Sequence, residues 1–476
     1  MIKELQIFTG KLNYNNDDYE FVFDGKELKL ILLNENREKI EEEFAMKEIV
    51  RGFSIDKISV MKEKYLIGKC YENNKTIIFL TQQNAHIMSS NSILSIKLVG
   101  YISSNELEMN DIDRMTFKCP EISCIYSRNQ AYQFSLDNKI AKNGVFSLKT
   151  IDFDLTSTEK QSFLVDDKNI QIQFSISRGI SKQIDESPIS INSIMIFEFD
   201  KTRDYDFILK LWYIAKEFLQ FLCYRKDIYL PMVDLSMPYE GEEGKHQKIA
   251  TLYILNELDS TDFDTLKKGR YISQKYIEGL EGKILTDIAN GSLYLRHIPE
   301  TYKAGRLINA SRFIMITAAF EWEFKRTYPD GVPKTASEIE VVNKAKSALD
   351  NLISESTGNL KRKYKFLRKL IDSDFLQKEI IKIGKDFDDI IGGFGTALYK
   401  TNNNELVYKD MGERLASQRN NFAHGNLNKD FIGTSLLDLM YMEYIIYAMQ
   451  LKYYGVNNVN IRKSINELFN LHFCIE

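Results

Sequence analysis

The spacing of apolar residues restricts the fold of this chain more than any other feature, because that spacing changes near residue 200. Between Ile170 and Ile176 apolar and polar residues alternate, which is the pattern of a strand with one buried face. Between Ile208 and Leu222 the apolar residues recur at helical spacing instead, and this predicts an amphipathic helix over about 203–225. The chain therefore combines a β-rich N-terminal part with a helical C-terminal part.

These patterns predict an α+β protein. Residues 1–200 are expected to form an antiparallel β-rich domain for recognition or regulation, in which Asp24-Gly25 closes a hairpin. Residues 201–300 are expected to be a mixed, mainly helical connecting region, and residues 301–476 an all-α bundle.

Helical periodicity is nearly continuous beyond Tyr302. It predicts helices over about 304–326, 335–355, 360–380, 385–400, 409–424 and 436–454. Leu307 is expected on the buried side of the first of these helices, and Leu367 on that of the third. The last helix is apolar nearly all round, interrupted by Asp438 and Glu443, so we expect it inside the bundle or in a dimer contact.

Composition limits the location and the partners of the chain. Hydrophobic residues make up 44% and charged residues 27% of its 476 residues, as in soluble folded proteins. Lys and Arg number 63 against 67 Asp and Glu, a formal charge of -4, so any contact with nucleic acid needs a local basic patch. The start of the chain has no signal-peptide pattern and no apolar run is of membrane length, which predicts a cytoplasmic protein without a membrane partner. Its five scattered cysteines are expected to be free thiols.

The helix predicted over 409–424 carries the candidate catalytic residues Arg419, Asn420 and His424. Gly425 follows at once and is expected to end the helix. His424 would then lie on the last turn, where the helix dipole favours the protonated imidazole. Asn420 lies one turn before the histidine on the same face and is expected to orient its ring. Arg419 lies roughly 140° round the helix from His424, from where it can reach a substrate held in front of both.

The segment Arg419–His424 (RNNFAH) resembles the motif of the HEPN ribonucleases, in which a polar residue follows the arginine and a histidine comes after four intervening residues. The resemblance implies a helical bundle that dimerises, so that two copies of the motif form one RNA-cleaving cleft. It also implies that the motif helix is next to last in the bundle. An acidic residue of the first bundle helix accompanies the motif in some relatives, and Glu321 is a better candidate for this role than Glu323.

Cleavage of RNA without a cofactor needs a base, an acid and a cation that stabilises charge on the phosphate. His424 is expected to act as base or acid, and Arg419 as the phosphate-binding cation. Two facing motifs would supply both proton transfers, so we expect a homodimer or a higher even oligomer. The sequence near the motif has no carboxylate cluster dense enough for two magnesium ions, so neither a metal nor another cofactor is expected.

The densest basic run of the chain is expected to bind RNA phosphates. The candidate RNA-binding residues are Lys361, Arg362, Lys363, Lys365, Arg368 and Lys369. An ordinary solvated helix face shows the same pattern of charge.

A β-rich domain ahead of such a bundle resembles the ApeA group of bacterial abortive-infection proteins. This implies an antiphage endoribonuclease whose N-terminal domain senses a phage-derived trigger and whose bundle cleaves RNA, with tRNA as a candidate substrate. Two other functions stay open. One is a non-catalytic HEPN-fold interaction or assembly module with a ligand-sensing β domain, and the other a carbohydrate- or peptide-binding β protein with a helical dimeriser.

Overall fold

The computed structural model describes residues 7–32, 57–60, 63–82, 86–90, 93–104, 111–135, 147–151, 156–180, 189–242, 244–255, 269–371, 376–423, 431 and 433–475. The chain divides into two compact units, residues 1–268 with 273–290 and residues 269–272 with 291–476. The first unit contains the strands and the second a group of helices, which confirms the predicted α+β class.

The first unit is built from antiparallel strands. Their bounds are β1 Phe8–Tyr14, β2 Asp17–Phe23, β3 Glu27–Leu32, β4 Lys57–Val60, β5 Tyr65–Cys70, β6 Thr76–Thr81, β7 His86–Ser90, β8 Ile93–Ser104, β9 Ile112–Phe117, β10 Tyr132–Ser135, β11 Ser147–Thr150, β12 Gln161–Val165, β13 Lys168–Ile180, β14 Ile189–Thr202, β15 Met232–Pro238 and β16 His246–Ile254.

Six of these strands close into a ring in the order β8-β3-β2-β1-β5-β6, because β6 also pairs with β8. The predicted hairpin at Asp24-Gly25 joins β2 to β3, and the Asp24 carboxylate accepts hydrogen bonds from two backbone amides of the turn. Phe21, Phe23 and Phe79 pack edge to face inside the ring, with centroids 5.2 and 5.4 Å apart. Because alternate residues of each strand point inward, the ring holds a continuous apolar core.

The sheet continues beyond the ring in the order β12-β13-β14-β9-β15-β16-β8. Within the described ranges this unit also contains the helices α1 Pro120–Ile125, α2 Tyr205–Cys223 and α3 Glu281–Ala289. Helix α2 confirms the helix predicted over 203–225, and Asp204 begins it by accepting a hydrogen bond from the Phe207 amide at 3.1 Å. The stretch 201–300, expected to be a connecting region, is divided between the two units, since β15 and β16 pair within the sheet.

The second unit is helical. Its helices are α4 Tyr302–Gly305, α5 Ala310–Thr327, α6 Ala336–Glu355, α7 Gly358–Leu370, α8 Leu376–Asp386, α9 Gly393–Thr401, α10 Tyr408–Ala423, α11 Ser435–Tyr454 and α12 Asn458–Phe469, and a π-helical turn spans Asp388–Gly392.

The helices of the second unit differ from the prediction in several places. The segment predicted as one helix over 385–400 is divided among the end of α8, the π-helical turn at Asp388–Gly392 and α9. Helix α5 begins after Asn309, whose side chain accepts a hydrogen bond from the Arg312 amide at 2.9 Å. Leu307 lies before this cap and is exposed, so its predicted burial was wrong. The helix predicted over 360–380 is two helices, α7 and α8, and the motif helix α10 is third from the end because α12 follows α11.

Helix α11 lies in the middle of the second unit and is buried on every side over residues 441–451, whereas Leu436, Met440 and Tyr453 nearer its ends are exposed. This confirms the prediction from its nearly continuous apolar sequence. Of the helices in the described ranges, none combines the length and the apolar character that spanning a membrane requires.

Candidate active site

The motif helix α10 is fixed by one buried side. Met411, Leu415, Gln418 and Phe422 all lie on this side and are buried, as the helical spacing predicted. Gly412 lets α10 approach α8 closely, because a Cβ there would lie 2.7 Å from the Cα of Gln377. The helix therefore has a defined rotation, and Arg419 lies at the edge of its buried side.

Aromatic packing holds the chain on both sides of residues 424–430. The Phe422 ring at the end of α10 packs edge to face on Phe313 of α5, with centroids 5.4 Å apart. Phe431 packs on both rings, at 5.5 Å from Phe422 and 6.0 Å from Phe313. The catalytic candidate His424 and the predicted helix stop Gly425 lie outside the described residues.

Arg419 and Glu321, both singled out by the sequence, form a bidentate ion pair. The Arg419 Nη1 and Nη2 atoms donate to the two carboxylate oxygens of Glu321 at 2.5 and 2.9 Å. The pair joins α10 to α5 and is only partly buried, with side-chain exposures of 39% for Arg419 and 23% for Glu321. The arginine head is thus held in one orientation while part of it remains accessible. Asn420, the next residue, is exposed.

Glu323, the weaker of the two acidic candidates, has a different environment. Its carboxylate accepts hydrogen bonds from the Gln450 side chain at 3.1 Å, the Tyr294 amide at 3.3 Å and Arg326 at 2.7 Å. Burial raises the pKa of this carboxyl, against the opposing effect of Arg326. Its contacts are with the bundle interior, whereas Glu321 contacts the motif.

A second ion pair positions the first half of α10. Arg414 Nε and Nη2 donate to the two oxygens of the fully buried Asp438 carboxylate, both at 2.8 Å, and the Tyr399 hydroxyl donates to the same carboxylate. The hydrogen bonds to Asp438 raise the pKa of the Arg414 guanidinium, and burial raises that of Tyr399. This cluster joins α9, α10 and α11, so it sets the place of the motif helix in the unit.

The six candidate RNA-binding residues all lie on α7, whose charged residues are all cations. Lys361 and Arg368 are half-buried, and Arg368 pairs with Asp350 of α6 through two contacts at 2.5 and 3.1 Å. The remaining four, Arg362, Lys363, Lys365 and Lys369, are exposed. Leu367 is exposed as well, so its predicted burial was wrong: α7 packs mainly on α6 among the described elements, and a pair of helices covers less surface than a bundle core.

No protein-family model matches this chain, and no curated protein matches it either. Its function has to be argued from the residues themselves. Among the described residues, no group of three or more His, Cys, Asp and Glu side chains is placed to hold a metal ion. The five cysteines are free thiols, as expected.

Two features of the second unit go beyond what the sequence predicts. Asp438 and Glu443 interrupt an apolar helix in the sequence, and in the structure each carboxylate forms an ion pair with an arginine, Asp438 with Arg414 at 2.8 Å and Glu443 with Arg312 at 2.5 Å. Their signal was available, because a carboxylate within a buried helix requires a cationic or hydrogen-bonding group. Phe366, an aromatic residue between lysines, was also passed over, although it is one of the more exposed apolar side chains of the second unit.

We expect Asp438→Ala to destabilise the helical unit by about 3–5 kcal/mol, because it leaves the Arg414 guanidinium and the Tyr399 hydroxyl without their common acceptor. Urea unfolding followed by circular dichroism measures the change. Asp410→Ala is the matched control, since Asp410 is exposed on the first turn of α10 and its loss should change the free energy of unfolding by less than about 0.5 kcal/mol. Equal effects of the two substitutions would contradict the role given to Asp438.

Proposed function

We propose that this protein is a metal-independent endoribonuclease of the HEPN type, acting in antiphage defence in the manner of the ApeA group. The observation that carries the proposal is the Arg419–Glu321 pair. Of all the residues that the resemblance singled out, these two come from distant parts of the chain, and their side chains meet on neighbouring helices.

The pair suits a phosphate-binding arginine. A guanidinium has five N–H donors, and Glu321 accepts from two of them, one on each terminal nitrogen. No further acceptor among the described residues contacts this guanidinium, so its other donors remain for a second acceptor. The planar fork of arginine matches the oxygens of a phosphate. In this proposal Glu321 is a positioning residue, because it acts through Arg419 and not on the substrate.

The reaction we propose uses the RNA's own 2′-hydroxyl as the nucleophile. The 2′ oxygen attacks the adjacent phosphorus, the bond from phosphorus to the 5′ oxygen breaks, and the products are a 2′,3′-cyclic phosphate and a 5′-hydroxyl. His424 of one motif takes the 2′ proton and His424 of the facing motif gives a proton to the leaving 5′ oxygen. Arg419 stabilises the charge that develops on the phosphate oxygens, and the protein works as a homodimer or a higher even oligomer.

The first unit is proposed to regulate the second. An uncontrolled ribonuclease in the cytoplasm, where we place the protein, would destroy the RNA of its own host. We therefore propose that the β-rich unit binds a phage-derived trigger, and that cleavage of RNA, with tRNA as a candidate substrate, follows from that binding.

We expect RNA cleavage to persist in EDTA and to fail on a strand with a single 2′-deoxy substitution at the cut site, because that strand lacks the nucleophile. Arg419→Ala and His424→Ala should each lower the cleavage rate by about two to four orders of magnitude. Lys409→Ala, an exposed cation of the same helix, is the matched control and should cleave like the wild type. Loss of cleavage in EDTA, or equal cleavage of the deoxy strand, would refute the mechanism.

We expect Glu321→Ala to lower the cleavage rate by about 100-fold, because an unpaired Arg419 samples orientations that miss the phosphate. In an Arg419→Ala background the same substitution should have no further effect, since Glu321 acts only through the arginine. The free energy of unfolding should change by less than about 1 kcal/mol, as for other partly exposed pairs. A faster Glu321→Ala enzyme would instead mean that Glu321 restrains the arginine.

We expect activity to require assembly. Since one motif offers a single histidine, the specific activity should rise with protein concentration over the range in which light scattering shows dimers forming. A strictly monomeric protein that retains full specific activity would exclude the composite site.

A further inference from the structure

Phe366 lies on the side of helix α7 that faces away from α6. At 100° per residue, Arg362, Lys363 and Lys369 lie within about 60° of Phe366 around the helix. Arg368 lies about 160° from Phe366 and forms the ion pair with Asp350 of α6. The phenyl ring therefore stands on the solvent side of α7, 60% exposed, with cations around it.

The charges around Phe366 are not balanced within the described residues. Helix α7 has no acidic residue, and Arg368, on its packing side, pairs with Asp350 of α6. Arg362, Lys363, Lys365 and Lys369 are exposed and lie within ion-pair distance of no described carboxylate. The face thus combines an exposed aromatic ring with a strong local positive charge.

The chemistry of this face favours a polyanion as its occupant. A second copy of the chain placed symmetrically on it would bring two sets of like charges together, which is unfavourable. A purely apolar partner surface would leave the cations desolvated and unpaired. A nucleic acid strand offers both complementary groups, phosphates for the cations and base faces for the ring.

The aromatic ring also distinguishes single strands from duplexes. In an RNA duplex the base faces are stacked on one another and only backbone and groove edges are accessible. In a single strand each base has a free face that can stack on an aromatic side chain. Cations alone would bind both forms, whereas an exposed phenyl group adds affinity for the single strand only.

We propose that the Phe366 face of α7 binds single-stranded RNA, with a base stacked on Phe366 and the flanking phosphates bound by Arg362, Lys363 and Lys369. This deepens the proposed function and rests on it for the identity of the nucleic acid as RNA. It defines the substrate as an unpaired region and divides the basic run into a binding face and a packing side.

The test measures binding without cleavage. A fluorescent 2′-O-methyl strand of about 12 nucleotides, within the usual site size for single strands, is titrated with wild-type protein, Phe366→Ala, Phe366→Trp and Leu360→Ala. Leu360 is the matched control, since it is an apolar residue of the same helix with 54% exposure and lies about 120° from Phe366. A duplex of the same length and a strand with abasic sites provide the matched ligands.

We expect Phe366→Ala to weaken binding of the single strand by about tenfold or more. Phe366→Trp should keep the affinity, and Leu360→Ala should change it by less than about twofold. Duplex and abasic strands should bind the wild type and Phe366→Ala equally. The proposal would be overturned if Phe366→Ala bound the single strand as tightly as the wild type does. It would also be overturned if a poly-glutamate peptide bound the wild type as tightly as RNA does and lost that affinity in Phe366→Ala.

Separate cleavage assays keep the two proposals distinguishable. If unmodified RNA is cleaved while Phe366→Ala binds like the wild type, the stacking proposal fails and the ribonuclease proposal stands. If Phe366 is needed for binding while no RNA is cleaved, the ribonuclease proposal fails and the binding face stands.

Discussion

Two buried carboxylates on helix α11 determine how the second unit is arranged. The Asp438 and Glu443 side chains are both buried, and a buried carboxylate without a counter-charge costs several kcal/mol. Arg414 of α10 and Arg312 of α5 supply those counter-charges. A shift of either helix by one turn, about 5.4 Å, would separate these charges. The ion pairs therefore select one register for the two helices that carry Arg419 and Glu321.

The Arg419–Glu321 pair differs from these buried pairs in its exposure. With 39% and 23% of its side chains accessible, it contributes at most about 1 kcal/mol to stability. The pair contributes mainly by orienting the Arg419 side chain. Arg414 fixes the position of α10, and Arg419 lies five residues further along the same helix, a rise of about 7.5 Å. The buried pair fixes the helix, and the exposed pair presents an oriented guanidinium. Because of this separation, the phosphate binding that we propose for Arg419 would not require the bundle to loosen.

Elements that follow from local periodicity could be predicted from the sequence. Predictions were wrong where the packing of neighbouring elements or a helix cap determines the bounds or the burial of a residue. Strand β13 and helix α2 were predicted because their alternating and helical patterns are uninterrupted. For strand β16 the sequence leaves Tyr253-Ile254-Leu255 open between a short strand and a helix end, since residues 249–252 are buried on both faces and show no alternation. Leu307 fits the helical period of α5, but the Asn309 side chain caps the helix after it.

The candidate site was predictable to the same extent. The motif helix was predicted from its own apolar spacing, and Glu321 from the resemblance. The sequence could not show that Glu321 meets Arg419, because that contact depends on how α5 and α10 pack. The carboxylates of α11 were seen but not assigned, since their arginines lie far away in the chain. Prediction thus succeeded for residues whose role is local and missed those defined by a distant contact.

Because the protein carries a net negative charge, any attraction to RNA depends on where its cations are placed. At a formal charge of -4 the molecule as a whole does not attract RNA, and at physiological salt charges act over only about 8 Å. The proposed RNA strand therefore needs a surface on which cations are locally in excess, as they are on α7. Attack by a 2′-hydroxyl also requires the 2′ oxygen in line with the leaving 5′ oxygen, an alignment that a flexible single strand reaches and a stacked duplex resists. The proposed stacking face on α7 and the proposed cleavage reaction thus favour the same kind of RNA, an unpaired strand.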